Sequence, residues 1–212
     1  MSENIQTNRK SHGPTNEATS ALVITKPNTQ EAEAAVKTLL AYIGEDLGRE
    51  GIKDTPSRVI KSYEELFFGY KVDIKQVLSK KFYDISDFND IVLLKGIEFS
   101  SLCEHHMLPF TGFVDVAYVP NGYVVGVSKI ARLVDAYAKR LQIQEKMTAD
   151  IAGSLDKYLE PRGVAVRISA THSCMTSRGA MKGEAVLESS HFSGIFKENP
   201  QYRSEFWQMV NK

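Results

Sequence analysis

Both cysteines and three of the five histidines fall in two short segments far apart in the chain, and any fold for this sequence must account for both. The segments are Cys103-Glu104-His105-His106 and His172-Ser173-Cys174. Thiolate sulfur and imidazole nitrogen suit Zn2+, and a catalytic zinc keeps three protein ligands and one open place. The pattern therefore predicts one metal clasped between two elements. Cys103, His105, His106, His172 and Cys174 are more candidates than a tetrahedral site can use, so some must do something else. A histidine beside activated water is a natural proton carrier. The competing reading is a single disulfide, or two thiols that are simply buried.

At 212 residues the chain suits one domain of moderate size, or a domain with an appended segment. Its 26 basic and 26 acidic side chains cancel, so no global field argues for nucleic acid or an anionic membrane, and any anionic ligand must be held locally. Residues 1–10 lack the apolar core of a secretory signal. No apolar run approaches the roughly 18 residues needed to cross a bilayer. With only two cysteines, these features predict a cytoplasmic protein in a reducing compartment, where a disulfide would be unusual.

Residues 1–28 are rich in Ser, Thr and Asn, contain Pro14 and Pro27, and read as a mobile tail with Ala21-Leu-Val-Ile24 as a short contact or a local apolar blip. His12 lies in that tail and is assigned no chemistry. Helix formers from Thr29 to Gly44 put Val36, Leu39, Leu40 and Ile43 on one face. Asp54-Thr55-Pro56 opens a second helix with Thr55 as its cap and Val59, Tyr63, Leu66 and Phe67 on its inner face. Ile91 to Phe99 reads as a strand leading into Cys103. Thr111–Val119, the turn Pro120-Asn121-Gly122, and Tyr123–Val127 read as a hairpin.

Ser128 is the expected cap of a helix through Ile130, Leu133, Val134 and Tyr137. Leu141-Gln-Ile-Gln-Glu145 breaks its register before Met147, Ile151 and Leu155 resume it, which predicts two helices or one interrupted helix. Val164, Val166, Ile168 and Ala170 are the inward parity of a clean strand, and counting on by twos reaches His172 and Cys174. A further extended segment over 185–193 and a helix from about Asn199-Pro200 close the chain.

Some charges look placed. Lys129 and Arg132 follow Ser128 at a helix start, where the dipole disfavours cations by about 0.3–1 kcal/mol each. A bound phosphate would resolve that cost; plain solvation would as well. Arg178 would add a cation near Cys174, or be an ordinary loop arginine. Gln144 and Glu145 sit at the helix break, where a carboxylate could accept two hydrogen bonds from a guanidine-like edge or serve as a helix N-terminal acid.

The segments Ser101–Phe110, Gly126–Arg132, Gln142–Glu145 and Thr171–Gly179, in this order, closely resemble the GTP cyclohydrolase I family over roughly residues 30–212. The resemblance implies an α+β tunnelling fold: an antiparallel sheet with a long helical pair on one face, after an N-terminal helical region. It divides the chain into the tail 1–28 and a catalytic domain 29–212, helical over 29–79 with the core from about 80. It implies Cys103, His106 and Cys174 as zinc ligands, His105 and His172 as proton-transfer residues, and Gln144 near the attacking water and substrate. Glu145 would hold the guanine edge, and Ser128, Lys129, Arg132 and Arg178 would line the ribose-triphosphate side. The reaction implied is zinc-dependent hydrolysis of GTP at purine C8, with release of formate and rearrangement to 7,8-dihydroneopterin triphosphate, the first step of pterin and folate biosynthesis. Sheets would join into an oligomeric barrel, a decamer of two pentamers with interfacial active sites. Two rival functions are a non-catalytic zinc-containing nucleotide-binding regulator and another tunnelling-fold pterin or deazapurine enzyme.

Overall fold

The computed structural model describes residues 26–212. The tail contact at Ala21–Ile24 and His12 lie outside those residues. Asn28 belongs to the first helix as its cap. Its side chain accepts from the Glu31 amide at 3.0 Å, and Glu31 accepts from the Asn28 amide at 2.8 Å, so two otherwise free donors are satisfied. This helix, α1 (Thr29–Tyr42), packs on α2 (Thr55–Leu66). Val36 and Leu40 are half-buried, but Leu39 and Ile43 from the same expected apolar face are 64% and 72% exposed, because α2 alone covers only part of it. In α2 the flanking residue is Asp54, so Thr55 is already helical and Pro56 sits in the first turn as expected.

A 3-10 turn (Phe68–Lys71) joins α2 to the short α3 (Ile74–Val77) and ties this region to the core. The Gly69 amide donates to Lys139 O at 3.1 Å, and a Cβ on Gly69 would lie 2.3 Å from Ala136 O. Only glycine permits that approach.

The strands are β1 (Lys81–Phe82), β2 (Val92–Cys103), β3 (Pro109–Val119), β4 (Val124–Val125), β5 (Leu141–Gln142), β6 (Gly163–His172) and β7 (Leu187–Phe192). Five form one sheet in the order β5-β2-β3-β6-β7, antiparallel except that β5 runs parallel to β2. The expected hairpin is absent. The chain bends at Asn121-Gly122, but β4 pairs with β1, since both edges of β3 are already taken by β2 and β6.

The helices α4 (Val127–Ala138) and α5 (Gln144–Leu159) lie on one face, separated by β5, which answers the helix-break question with two helices. Leu133, Val134, Met147, Ile151 and Leu155 pack there on Val114, Val116, Val166 and Ile168, all fully buried. Each large apolar side chain so buried contributes about 1.5–3 kcal/mol. After β6 come α6 (Ser173–Thr176), β7, α7 (Ile195–Glu198) and α8 (Pro200–Val210). Phe196, Phe206 and Val210 of the last two pack on Ala117, Val119 and Ala165, covering one end of the opposite face.

One irregularity in β2 decides where that strand delivers its last residue. The register shifts between Leu94 and Ile97, so Lys95 and Gly96 together oppose Asp115. Gly96 adopts φ +69, and its amide donates to Asp115 Oδ1 at 2.8 Å. Before the bulge Val92 and Leu94 face the α4/α5 core; after it Ile97, Phe99 and Cys103 do. The extra residue reverses parity, and Cys103 is turned into the core. Asp115 also pairs with Arg167 at 3.0 Å, and Arg167 with Glu188 at 2.8 Å, which links β3, β6 and β7 behind the bulge.

Candidate metal and nucleotide site

Cys103 ends β2 and is held from both sides. Its amide donates to Leu108 O and its carbonyl accepts from the Met107 amide, both at 2.8 Å, so residues 103–108 form a closed loop into β3. Across the other edge Cys103 pairs with Gln142, whose carbonyl accepts from the Glu104 amide at 3.0 Å. The loop presents His105 and His106 to solvent, their rings edge to face at 6.2 Å.

His172 ends β6 directly opposite Phe110 of β3, and the two rings stack at 4.5 Å and 5°. The alternation of β6 reaches His172 and stops. Cys174 lies in α6, so a helical turn, not strand parity, swings it toward Cys103. The ligand atoms of Cys103, His106 and Cys174 all lie within 4.8 Å of one another. Both cysteines are free thiols.

This donor set fits a divalent soft metal. Burial pushes the Cys174 thiol up, and the adjacent Cys103 pushes it further, against the opposing pull of Arg178. Two thiolates in such proximity repel unless a cation lies between them, and two sulfurs with one imidazole match zinc. Among the described residues the group holds three donors, with His105 and His172 outside it. Arg178 reaches the cluster, donating from Nη1 to His106 Nε2 at 3.0 Å.

Behind His172, Gln144 is 1% exposed, and its Oε1 lies 2.9 Å from His172 Nε2. Burial lowers the His172 pKa below the ordinary histidine value, and the nearby Glu145 charge partly offsets this. Glu145 itself is exposed in the first turn of α5. The resemblance implies Gln144 near the attacking water and substrate; in the structure its side chain hydrogen-bonds the His172 ring. Sequence reasoning missed Phe110 as the stacking partner, although equal alternation in β3 and β6 was a usable signal.

Ser128, Lys129 and Arg132 are elsewhere. The strand before them is anchored by Val125 N donating to the Tyr118 hydroxyl, and Tyr118 pairs with Val92 at the start of β2, the end remote from Cys103. Gly126, not Ser128, is the cap of α4, and no side chain caps that turn. Lys129 and Arg132 face a cleft of about 420 Å³ shared with Lys71 and Asp73. One chain therefore keeps its metal-type cluster and its helix-start cations at opposite ends of the sheet.

Residues 32–211 match the family model described as GTP cyclohydrolase I. The chain belongs to the GTP cyclohydrolase I family. It is 54% identical over 191 residues to the GTP cyclohydrolase 1 of Rickettsia bellii (strain OSU 85-389), covering 90% of this chain and 100% of that protein. It is 53% identical to the Rickettsia felis GTP cyclohydrolase 1 and 52% identical to that of Rickettsia prowazekii (strain Madrid E), in each case over 89% of this chain and 100% of the relative. The GTP cyclohydrolase I match thus spans the helical region, the sheet and both ligand segments. Among the described residues no helix is long and apolar enough to cross a membrane.

Proposed function

We propose that Cys103, His106 and Cys174 hold the zinc of a GTP cyclohydrolase I, and that His172 and His105 carry protons during opening of the purine ring. The enzyme is a hydrolase acting on GTP. Zinc held by three protein ligands supplies Lewis acidity and a nucleophile at neutral pH. The observation that carries the residue assignment is the convergence of those three donors beside the stacked, hydrogen-bonded ring of His172.

His172, fixed in plane by Phe110, is suited to deliver a proton at purine N7, which makes C8 electrophilic. Glu145 is exposed next to it and would accept two hydrogen bonds from the guanine N1–H and 2-amino edge. His105, exposed in the loop, would serve the later proton movements around the sugar. After C8 leaves as formate, the ribose rearranges and closes to 7,8-dihydroneopterin triphosphate, the first step of pterin and folate biosynthesis.

Ser128, Lys129, Arg132 and Arg178 are assigned to the triphosphate. Since the first three lie at the far end of the sheet from Cys103, they would serve the site of a neighbouring copy, as in a decamer of two pentamers whose sheets join into a barrel. The exposed Leu39, Tyr42 and Ile43 of the helical region are further surface for such assembly. The catalytic domain is taken as residues 29–212, and the free thiols support a cytoplasmic setting.

The test is formate release from GTP with zinc measured on the same preparation. A zinc-loaded, assembled protein without turnover would sink the reading. Co-assembly of Cys103→Ser subunits with Arg132→Ala subunits should recover sites with the wild-type KM for GTP, which Arg132→Ala assemblies alone lack and inactive Cys103→Ser assemblies cannot show. No recovery in verified mixed assemblies would place both clusters in one chain's site.

A further inference from the structure

We propose that Gln144 is a positioning residue that holds His172 as the Nε2-protonated tautomer, leaving Nδ1 as the working nitrogen of the ring. This rests on the proton-carrying role proposed for His172. Gln144 Nε2 lies 3.1 Å from Ile168 O of β6 and 3.0 Å from Leu187 O of β7. Carbonyl oxygens only accept, so the amide nitrogen must face them and the amide oxygen must face the histidine. Oε1 also only accepts. Across the 2.9 Å contact, His172 Nε2 must therefore be the donor.

The remaining hydroxyls agree with that direction. Thr148 Oγ1 donates to Gln144 O at 2.8 Å, so the Ser189 hydroxyl donates to Thr148 Oγ1 across 2.7 Å. Ser189 then turns a lone pair to Gln144 Nε2 at 3.1 Å. The two amide protons are shared among three acceptors, all of them on the Nε2 side, and the amide oxygen is left to a ring already fixed in plane by Phe110. The setting is main-chain in origin, since two strand carbonyls choose the amide orientation. Gln144 is nearly fully buried and acts through His172 rather than on substrate. In the neutral ring Nδ1 carries the lone pair, so the proton that His172 delivers to purine N7 is first taken up at Nδ1 from the attacking water.

Neutron diffraction from the zinc-loaded protein at about pH 8, where an ordinary histidine is neutral, reads the tautomer directly. A deuteron on Nε2 with Nδ1 bare is expected; a deuteron on Nδ1 overturns the proposal. Gln144→Met keeps the side-chain volume and removes the acceptor. With zinc content unchanged, kcat should fall about 100-fold, the scale of a mispositioned acid–base group, while KM for GTP stays constant. A variant with full kcat and a raised KM would make Gln144 a substrate contact and overturn the proposal. A wild-type protein that shows the Nε2 deuteron yet releases no formate would break the GTP reading alone.

Discussion

The α5 and α4 helices both begin at an edge of the candidate nucleotide chemistry, yet their first turns are built differently. At α5, Gln144 is buried and every polar atom of its amide is matched by two strand carbonyls, a serine and a histidine. At α4, Ser128 and Arg132 are exposed, and, as at α5, no side chain caps the turn. The Gln144 side chain is paired entirely within its own chain, whereas the α4 start turns the cations Lys129 and Arg132 to an open cleft. On the roles proposed above, the His172 ring at the α5 start is preorganised by its own chain, while the cations at the α4 start are left for a ligand to pair.

The largest effect should come from the metal end. Cys103→Ser or Cys174→Ser should lose bound zinc and formate release together, because two remaining ligands hold a catalytic zinc poorly. Full zinc content in either variant would remove that residue from the ligand set.

Next in size is His172→Ala, which should keep zinc and lose ring opening by about 100-fold or more. Loss of zinc along with turnover would make His172 a ligand and erase the difference between the two histidine roles.

At the α4 start, Lys129→Ala or Arg132→Ala should raise KM for GTP by about tenfold, the worth of one charge-assisted hydrogen bond, with kcat largely kept. A fall in kcat at unchanged KM would show that this turn is as preorganised as that of α5.

The smallest effect concerns the phenol under α4. Burial raises the Tyr118 pKa, and its hydroxyl accepts from the Val125 amide. A group with a raised folded-state pKa contributes stability fully present below its unfolded value, about 10, and lost as pH rises through the folded value. Thermal melts should therefore fall above about pH 10. Tyr118→Phe should flatten that fall and cost about 1 kcal/mol at neutral pH. An unchanged alkaline slope would assign the loss to other groups.

Much of this was legible in the residues. The soft donors in two segments, the β6 alternation ending on His172 and the paired helices all follow from local chemistry and period. The exceptions share a cause. Cys174 leaves the strand because α6 begins at Ser173, and Cys103 faces inward only because the bulge at Gly96 reverses parity, with Asp115 on a neighbouring strand accepting its amide. The hairpin failed because β3 had no free edge, a fact about β2 and β6. Ser128 looked like a cap by residue type, yet the chain turns one residue pair earlier, at Gly126.

The sequence by itself determined the donor chemistry, two sulfurs and several imidazoles with no competing cysteines, and the strands and helices that carry them. The family resemblance named Cys103, His106 and Cys174, but only the tertiary structure decided how those three are brought together, which end of the sheet keeps the cations, and which ring nitrogen of His172 faces Gln144. Those outcomes depend on carbonyls and side chains from separate strands arriving at one place. Residue type and period describe single elements, whereas hydrogen-bond direction and ligand convergence are properties of elements packed together.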